Sequence, residues 1–247
     1  MLRHGPLKIR GNRMNTEKKP RRRKSTRLSQ DQRVSDILAA ANDLIDTKGY
    51  ENVTMVEIAE RSHIVEGTVY RYFKNKDELM LRVAEDWLRL KLADLLDVSA
   101  LNGTYNKLRY LIWHSLKVIV SKPAVTRYIM LEVRPRESYK TTELFSINRA
   151  YTNQLRKLFA DAISSGEMKR GVPERLLRDM VFGTIEHSTW RYLRGEGDLD
   201  VDELADEIAM VVFHGMSDRQ PVTNPLEASL ARIEAVAERL EKAVPAG

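Results

Sequence analysis

The chain has 247 residues, no cysteine and a formal net charge of +6. Disulfide frameworks, thiolate metal sites and cysteine nucleophiles are therefore excluded, and the length allows one or two domains with a sizeable core. No apolar stretch approaches the ~20 residues of a membrane span, and the first residues lack the apolar segment of a secretory leader. A soluble, cytoplasmic chain with no membrane partner is the expectation.

The charge is unevenly placed. Residues 1–30 carry 11 Lys and Arg against one acid, Glu17, a net +10, and +6 less +10 leaves −4 for the remainder. The block from Lys18 to Lys24 is of the kind that stays unfolded and often binds nucleic acid. A solvated tail, or a true start at Met14, fits it as well. Residues 1–28 are read as this basic arm.

A helical pattern begins at Ser29, which with Gln32 forms a capping box. Val34, Ile37, Leu38, Ala41, Leu44 and Ile45 follow at helical spacing, and Gly49 suits the left-handed residue beyond the helix end. Thr54 and Glu57 form a second capping box for a helix with Ile58 and Ala59 on its apolar side, ending near Ser62 and His63. A short helix over 65–72 comes next. Its Val69 and Phe73 share an inward face, while Glu66, Gly67, Tyr70 and Arg71 point outward and Thr68 sits at the edge. Asn75 caps a third helix, with Asp77 in its first turn and Glu78 at the reciprocal position. Three helix starts this close form a helix-turn-helix within a small domain, 29–81, a geometry that lays one helix in the major groove of DNA.

From Lys76 onward the periodicity stays helical, with no alternating strand pattern. Helices are expected over 78–96 (Leu79, Val83, Trp87, Leu90), 105–120, 123–133, 139–164, 173–194 and 200–216. They are separated by Asn102-Gly103, Arg134-Pro135-Arg136, Gly166 and Gly195-Glu196-Gly197. The fold class is all-α: a DNA-binding helix-turn-helix domain joined to a larger helical body, 82–220. Within 221–247, Pro221 and Pro225 bracket a linker. Leu226, Leu230, Ile233, Ala237, Leu240 and Val244 then repeat at heptad spacing, as an extra amphipathic helix packed on a body or as a coiled coil.

The elements Gly49-Tyr50, Thr54, Ile58-Ala59, Gly67-Thr68-Val69-Tyr70-Arg71-Tyr72-Phe73, Lys74-Asn75-Lys76 and Glu78-Leu79 resemble the N-terminal domain of TetR-family transcriptional regulators. The likeness is close over 30–80 and extends beyond only as an all-helical pattern. It implies DNA contacts from Thr68, Tyr70 and Tyr72, a close approach at Gly67 and a phosphate held by Lys76. Thr54, Glu66, Arg71 and Lys74 complete the candidate DNA-binding set. Two residues depart from the family pattern. Val65 stands where a capping side chain is usual, a loss of about 1 kcal/mol. Glu66 puts an acid near phosphates, where it opposes binding but can accept from a cytosine amino group.

The resemblance further implies that helices 173–194 and 200–216 pair with their twins in a homodimer, with Phe182, Ile185, Trp190, Val211, Val212 and Phe213 as interface candidates. It also implies an effector pocket in the body, for which Trp113, His114, Tyr128, Met130, Phe145, Asn148 and Tyr151 supply mixed apolar and polar character. Such a lining favours a mainly apolar small molecule with a polar end. His4, His63, His114, His187 and His214 form no metal-ligand pair at i,i+4, and no metal or cofactor is expected. No nucleophile elbow, zinc-protease motif or phosphate loop occurs, so an enzyme is not expected. The expected function is a homodimeric DNA-binding regulator, a repressor released from a palindromic operator by a small effector. The alternatives are a ligand-independent, nucleoid-type DNA-binding protein and an enzyme or carrier on the same scaffold.

Overall fold

The computed structural model describes residues 29–95 and 97–217; the basic arm and the 221–247 segment lie outside the described residues. In chain order the α-helices are α1 (Gln30–Lys48), α2 (Met55–Arg61), α3 (Glu66–Val69), α4 (Lys76–Ala93), α5 (Thr104–Ser121), α6 (Pro123–Tyr128), α7 (Glu143–Ser164), α8 (Glu174–Leu193) and α9 (Val201–Met216). Among the described residues there is no strand, only an isolated antiparallel bridge between Met168 and Ser217. The all-α expectation holds.

The caps follow the sequence with local changes. Thr54 and Glu57 make the full reciprocal box, with Glu57 N–H donating to Thr54 Oγ1 at 3.3 Å and Thr54 N–H to Glu57 Oε2 at 2.9 Å. Ser29 accepts from Gln32 N–H, but the Gln32 side chain donates to Asp36, so that box is only half formed. Asn75 accepts from Glu78 N–H at 2.8 Å, while the Glu78 carboxylate takes the preceding donor, Lys74 N–H, at 2.7 Å. The expected helix over 123–133 is α-helical only to Tyr128. It ends in one π turn, Ile129–Val133, in which Arg134 N–H reaches Ile129 O at 2.9 Å. The expected start of α7 at Tyr139 is instead a 3₁₀ turn, Glu137–Thr141, and Thr142 caps the helix proper.

Two apolar clusters fill the molecule. One joins α1–α4 to residues of α6, the π turn after it and the start of α7, including Val125, Tyr128, Val133, Leu144 and Ile147. The other is built from α5, the remainder of α7, α8 and α9. The helix-turn-helix core is thus continuous with the near part of the body. Polar bonds reinforce the junction: Tyr50 donates to Glu132 at 2.9 Å, Tyr128 donates to Asp77 Oδ1 at 3.0 Å, Arg136 donates to Asp77 Oδ2 at 2.7 Å, and Lys122 pairs with Asp46. On the far side of the junction, Glu85 of α4 accepts from Leu144 N–H at the start of α7.

Candidate DNA-reading surface and effector cavity

α3 is held out from the helical domain by few residues. Val69 and Phe73 are buried beneath it. Its α-helical part is four residues, shorter than the expected 65–72. The bonds from Arg71 N–H to Thr68 O and from Tyr72 N–H to Val69 O then continue the coil as tighter turns to Phe73. Val65, 74% exposed, offers no side-chain cap. The turn before α3 includes a positive φ, 56° at His63, a conformation that glycine adopts most readily.

Glu66, Gly67, Tyr70 and Arg71 are exposed along one side of this coil, with Thr68 half-buried at its edge. Nothing lies within 4 Å of a Cβ built on Gly67, so this surface is open to a partner. Thr54, Lys74 and Lys76 flank it. Thr54 is occupied as a cap, and Tyr72 is half-buried against the apolar cluster. Lys76 Nζ donates to Glu51 O at 3.0 Å, and partial burial lowers its pKa.

A half-open cavity of about 770 Å³ lies in the body among α4, α5, α6, α7 and α8. Its apolar wall includes Leu88, Val118, Ile119, Ile129, Leu144 and Phe182. Six cationic side chains also line it, Arg134, Lys140, Arg149, Arg156, Arg175 and Arg178, against two acids, Asp179 and Glu186. The acids pair with Arg175, Arg178 and Arg134. Lys140, Arg149 and Arg156 have no acidic partner among the described residues, and the buried Nε of Arg156 has no acceptor there.

Four of the seven expected pocket residues line this cavity: Met130, Phe145, Asn148 and Tyr151. Trp113 and His114 instead line a separate depression of about 490 Å³ beyond α5, with Lys91, Tyr110 and Lys117. The Tyr151 hydroxyl and His114 Nδ1 are hydrogen-bonded at 2.5 Å, so this pair stands between the two spaces. Burial, with the Lys91 charge adding to it, lowers the His114 pKa. Tyr128 lines neither space. It packs its ring on Tyr50, with centroids 5.0 Å apart, and bonds Asp77, because α6 faces the helix-turn-helix domain.

α8 and α9 form one outer face of the body. Val211 is 71% exposed and Met180 53%, with Leu176 and Met210 close to Met180 in exposure. Among the expected interface residues, Ile185 is buried in its own core and so unavailable to a partner, and Phe182 lines the cavity. Trp190, Val212 and Phe213 are partly buried against the second cluster, and Phe213 stacks edge-on with Tyr105. Val211 is the expected interface residue that stands exposed, and the neighbouring exposed apolar positions are Leu176, Met180 and Met210.

Residues 37–83 match the family described as bacterial regulatory proteins, tetR family, and residues 93–215 match the YsiA-like protein C-terminal region. The chain belongs to the TetR family. Its relatives include the fatty acid metabolism regulator protein of Bacillus subtilis, 24% identical over 184 residues spanning 74% of this chain and 95% of that one. Another is the transcriptional repressor KstR2 of Mycolicibacterium smegmatis, 23% identical over 196 residues, 76% of this chain and 92% of that one. Among solved structures, the transcriptional regulator FadR from Bacillus subtilis in complex with stearoyl-CoA matches with a TM-score of 0.63 at 24% identity, covering 74% of this chain and 98% of that one. AibR in complex with isovaleryl coenzyme A and operator DNA matches with a TM-score of 0.57 at 21% identity, covering 73% and 98%. These likenesses show the TetR fold, and the relatives named are transcriptional regulators. No described helix is long and apolar enough to cross a membrane, and no described group of His, Asp and Glu is placed to hold a metal ion.

Several residues of this TetR-family cavity were missed by sequence reasoning. Trp87 read only as part of the core stripe of a long helix, and Leu88 was not singled out. Arg149, Thr152 and Arg156 fall at helical spacing after Phe145, a stripe visible in sequence but indistinguishable there from a solvated face.

Proposed function

We propose that this protein is a homodimeric transcriptional repressor whose grip on operator DNA is released by an acyl thioester of coenzyme A. The supporting observation is the cavity, an apolar interior of about 770 Å³ edged by arginines and a lysine that lack acidic partners. Its size falls in the roughly 300–1,000 Å³ range of small-molecule sites. An acyl chain suits the interior, and the phosphates of a coenzyme head suit Arg149, Arg156 and Lys140, since guanidinium groups bind phosphate bidentately. The relatives seen with stearoyl-CoA and isovaleryl coenzyme A support the same class without fixing the chain length.

The DNA side of the proposal assigns Tyr70, Arg71, Thr68 and Gly67 to the groove, with Glu66 contributing discrimination between sequences. Thr54, Tyr72, Lys74 and Lys76 act toward the backbone phosphates. For Lys76 this requires giving up the Glu51 carbonyl. Two copies would meet through Leu176, Met180, Met210 and Val211, placing two α3 surfaces at a fixed separation.

Coupling would run through α6 and its π turn. Thr126, Ile129, Met130 and Arg134 line the cavity, while Tyr128 and Arg136 of the same stretch hold Asp77 in the first turn of α4. An effector that prefers one placement of this stretch shifts the α4 equilibrium by no more than that preference. The test is fluorescence anisotropy of the full chain on DNA from upstream of its own coding region. Release by stearoyl-CoA or a shorter acyl-CoA, but not by free coenzyme A, is expected. Indifference to every acyl-CoA would refute the effector class, and absence of sequence preference would refute the regulator itself.

A further inference from the structure

The inner wall of the cavity carries polar groups as well as apolar ones, and nearly all have acceptors within the protein. Ser115 Oγ donates to Leu111 O at 2.7 Å, Thr126 Oγ1 to Ile119 O at 3.4 Å, Asn148 Nδ2 to the Tyr139 hydroxyl at 3.1 Å, and Tyr151 is bonded to His114. Besides Arg156, whose Nε also lacks an acceptor among the described residues, Trp87 is the exception. Its side chain lines the cavity and is only 7% exposed, yet its indole Nε1 is shut off from solvent and has no acceptor among the described residues. Tryptophan can only donate. A buried donor without an acceptor is rare in native proteins and calls for a bound group or another state that supplies one.

The position of this donor narrows the chemistry. Leu88 adjoins it on α4, and Val118, Ile119 and Leu144 line the same cavity, so the apolar wall that would hold an acyl chain includes Trp87. The cations are contributed by α7, α8 and the two turns before α7, and none by α4 or α5. Phosphates can satisfy Arg156 but are poorly suited to the α4 wall. The acceptor for Trp87 must then sit on the acyl portion itself.

We propose that Trp87 is a specificity-determining residue of the effector site, donating its indole N–H to a hydroxyl oxygen carried on the acyl chain beyond the thioester carbonyl, so that the cavity selects hydroxylated acyl thioesters over plain saturated ones. This rests on the acyl-CoA reading above. Because the nitrogen is screened in the present arrangement, the ligand oxygen must draw the indole toward the cavity. Trp87 is carried on α4, the helix whose first turn includes Asp77, so a hydroxylated ligand moves the DNA-linked helix directly.

The test uses the full-length protein and calorimetric titration with stearoyl-CoA and its hydroxylated analogues, the hydroxyl lying near the thioester, at mid-chain or toward the tail. At least one hydroxylated analogue should bind about five- to tenfold more tightly than stearoyl-CoA, the worth of one additional neutral hydrogen bond. The Trp87→Phe variant should bring that ratio close to one. The wild-type comparison needs no variant, so a folding failure in Trp87→Phe leaves the inference testable. Tryptophan-labelled NMR adds an independent reading, in which the Trp87 indole N–H signal should move downfield with the preferred analogue and stay in place with stearoyl-CoA. If stearoyl-CoA binds and no hydroxylated analogue exceeds it, this inference falls and the acyl-CoA reading stands. If no thioester binds, both fall.

Discussion

Removing the Asp77 carboxylate should loosen the joint between the body and the DNA-reading domain by an amount the structure bounds. The carboxylate accepts from Arg136 at 2.7 Å and from Tyr128 at 3.0 Å. The Arg136 pair is about half-exposed, so screening limits it to roughly 0.2–1 kcal/mol. The Tyr128 hydroxyl is buried, and its bond is worth about 0.5–1.5 kcal/mol. The Asp77 backbone carbonyl, 3.3 Å from that hydroxyl, remains as a poorer acceptor and holds the loss toward the low end. Asp77→Ala should therefore lower the unfolding free energy by about 1–2 kcal/mol, and Tyr128→Phe by about 1 kcal/mol. Chemical denaturation of both single variants and the double variant measures the cycle. A coupling of about 0.5–1 kcal/mol is expected, and strict additivity would refute the joint. Arg136, with help from the Tyr128 hydroxyl, holds the Asp77 carboxyl below the usual carboxylate range. Its contribution is thus complete at neutral pH and fades as pH falls through that depressed value. Asp77→Ala should also shrink the effect of acyl-CoA on operator affinity, and an unchanged effect would move the coupling route elsewhere.

Other outcomes follow from the same contacts. Glu57, held at about 2 by Lys48 and Thr54, stabilises the α2 cap above pH ~4.5, and that stability should be lost between pH ~4.5 and ~2; Glu57→Gln should remove that part of the acid transition. Met180→Glu together with Val211→Glu should yield monomers by sedimentation with unchanged helix content, and persistence of the dimer would place the interface elsewhere. Arg156→Ala should weaken acyl-CoA binding by about 1.5 kcal/mol, roughly tenfold, in calorimetry, while equal affinity would remove the phosphate role. Tyr70→Ala should cost about 1–3 kcal/mol of operator affinity by anisotropy with the dimer intact.

Local chemistry was the legible part of this chain. Thr54 with Glu57, and Asn75, marked helix starts because a cap needs only its own first turn. The inward pair Val69 and Phe73 was set by helical spacing alone. What failed to show depended on neighbours distant in sequence. Tyr128 has the composition of a pocket residue, yet α6 turns it toward Asp77. Ile185 has the composition of an interface residue and is buried at home. The π turn after Tyr128 leaves no mark in apolar periodicity. The unpaired indole of Trp87 cannot be read from sequence at all, since a missing acceptor is a property of the assembled wall.

If one molecule carries two linked sites, each ligand must change the other's affinity by the same factor. The operator dissociation constant is measured with and without saturating acyl-CoA, and the acyl-CoA dissociation constant with and without saturating operator, at one salt concentration. Linkage requires the two ratios to be equal, and a factor of about 5–150 is expected. Tight binding of both ligands with both ratios at one would contradict the account.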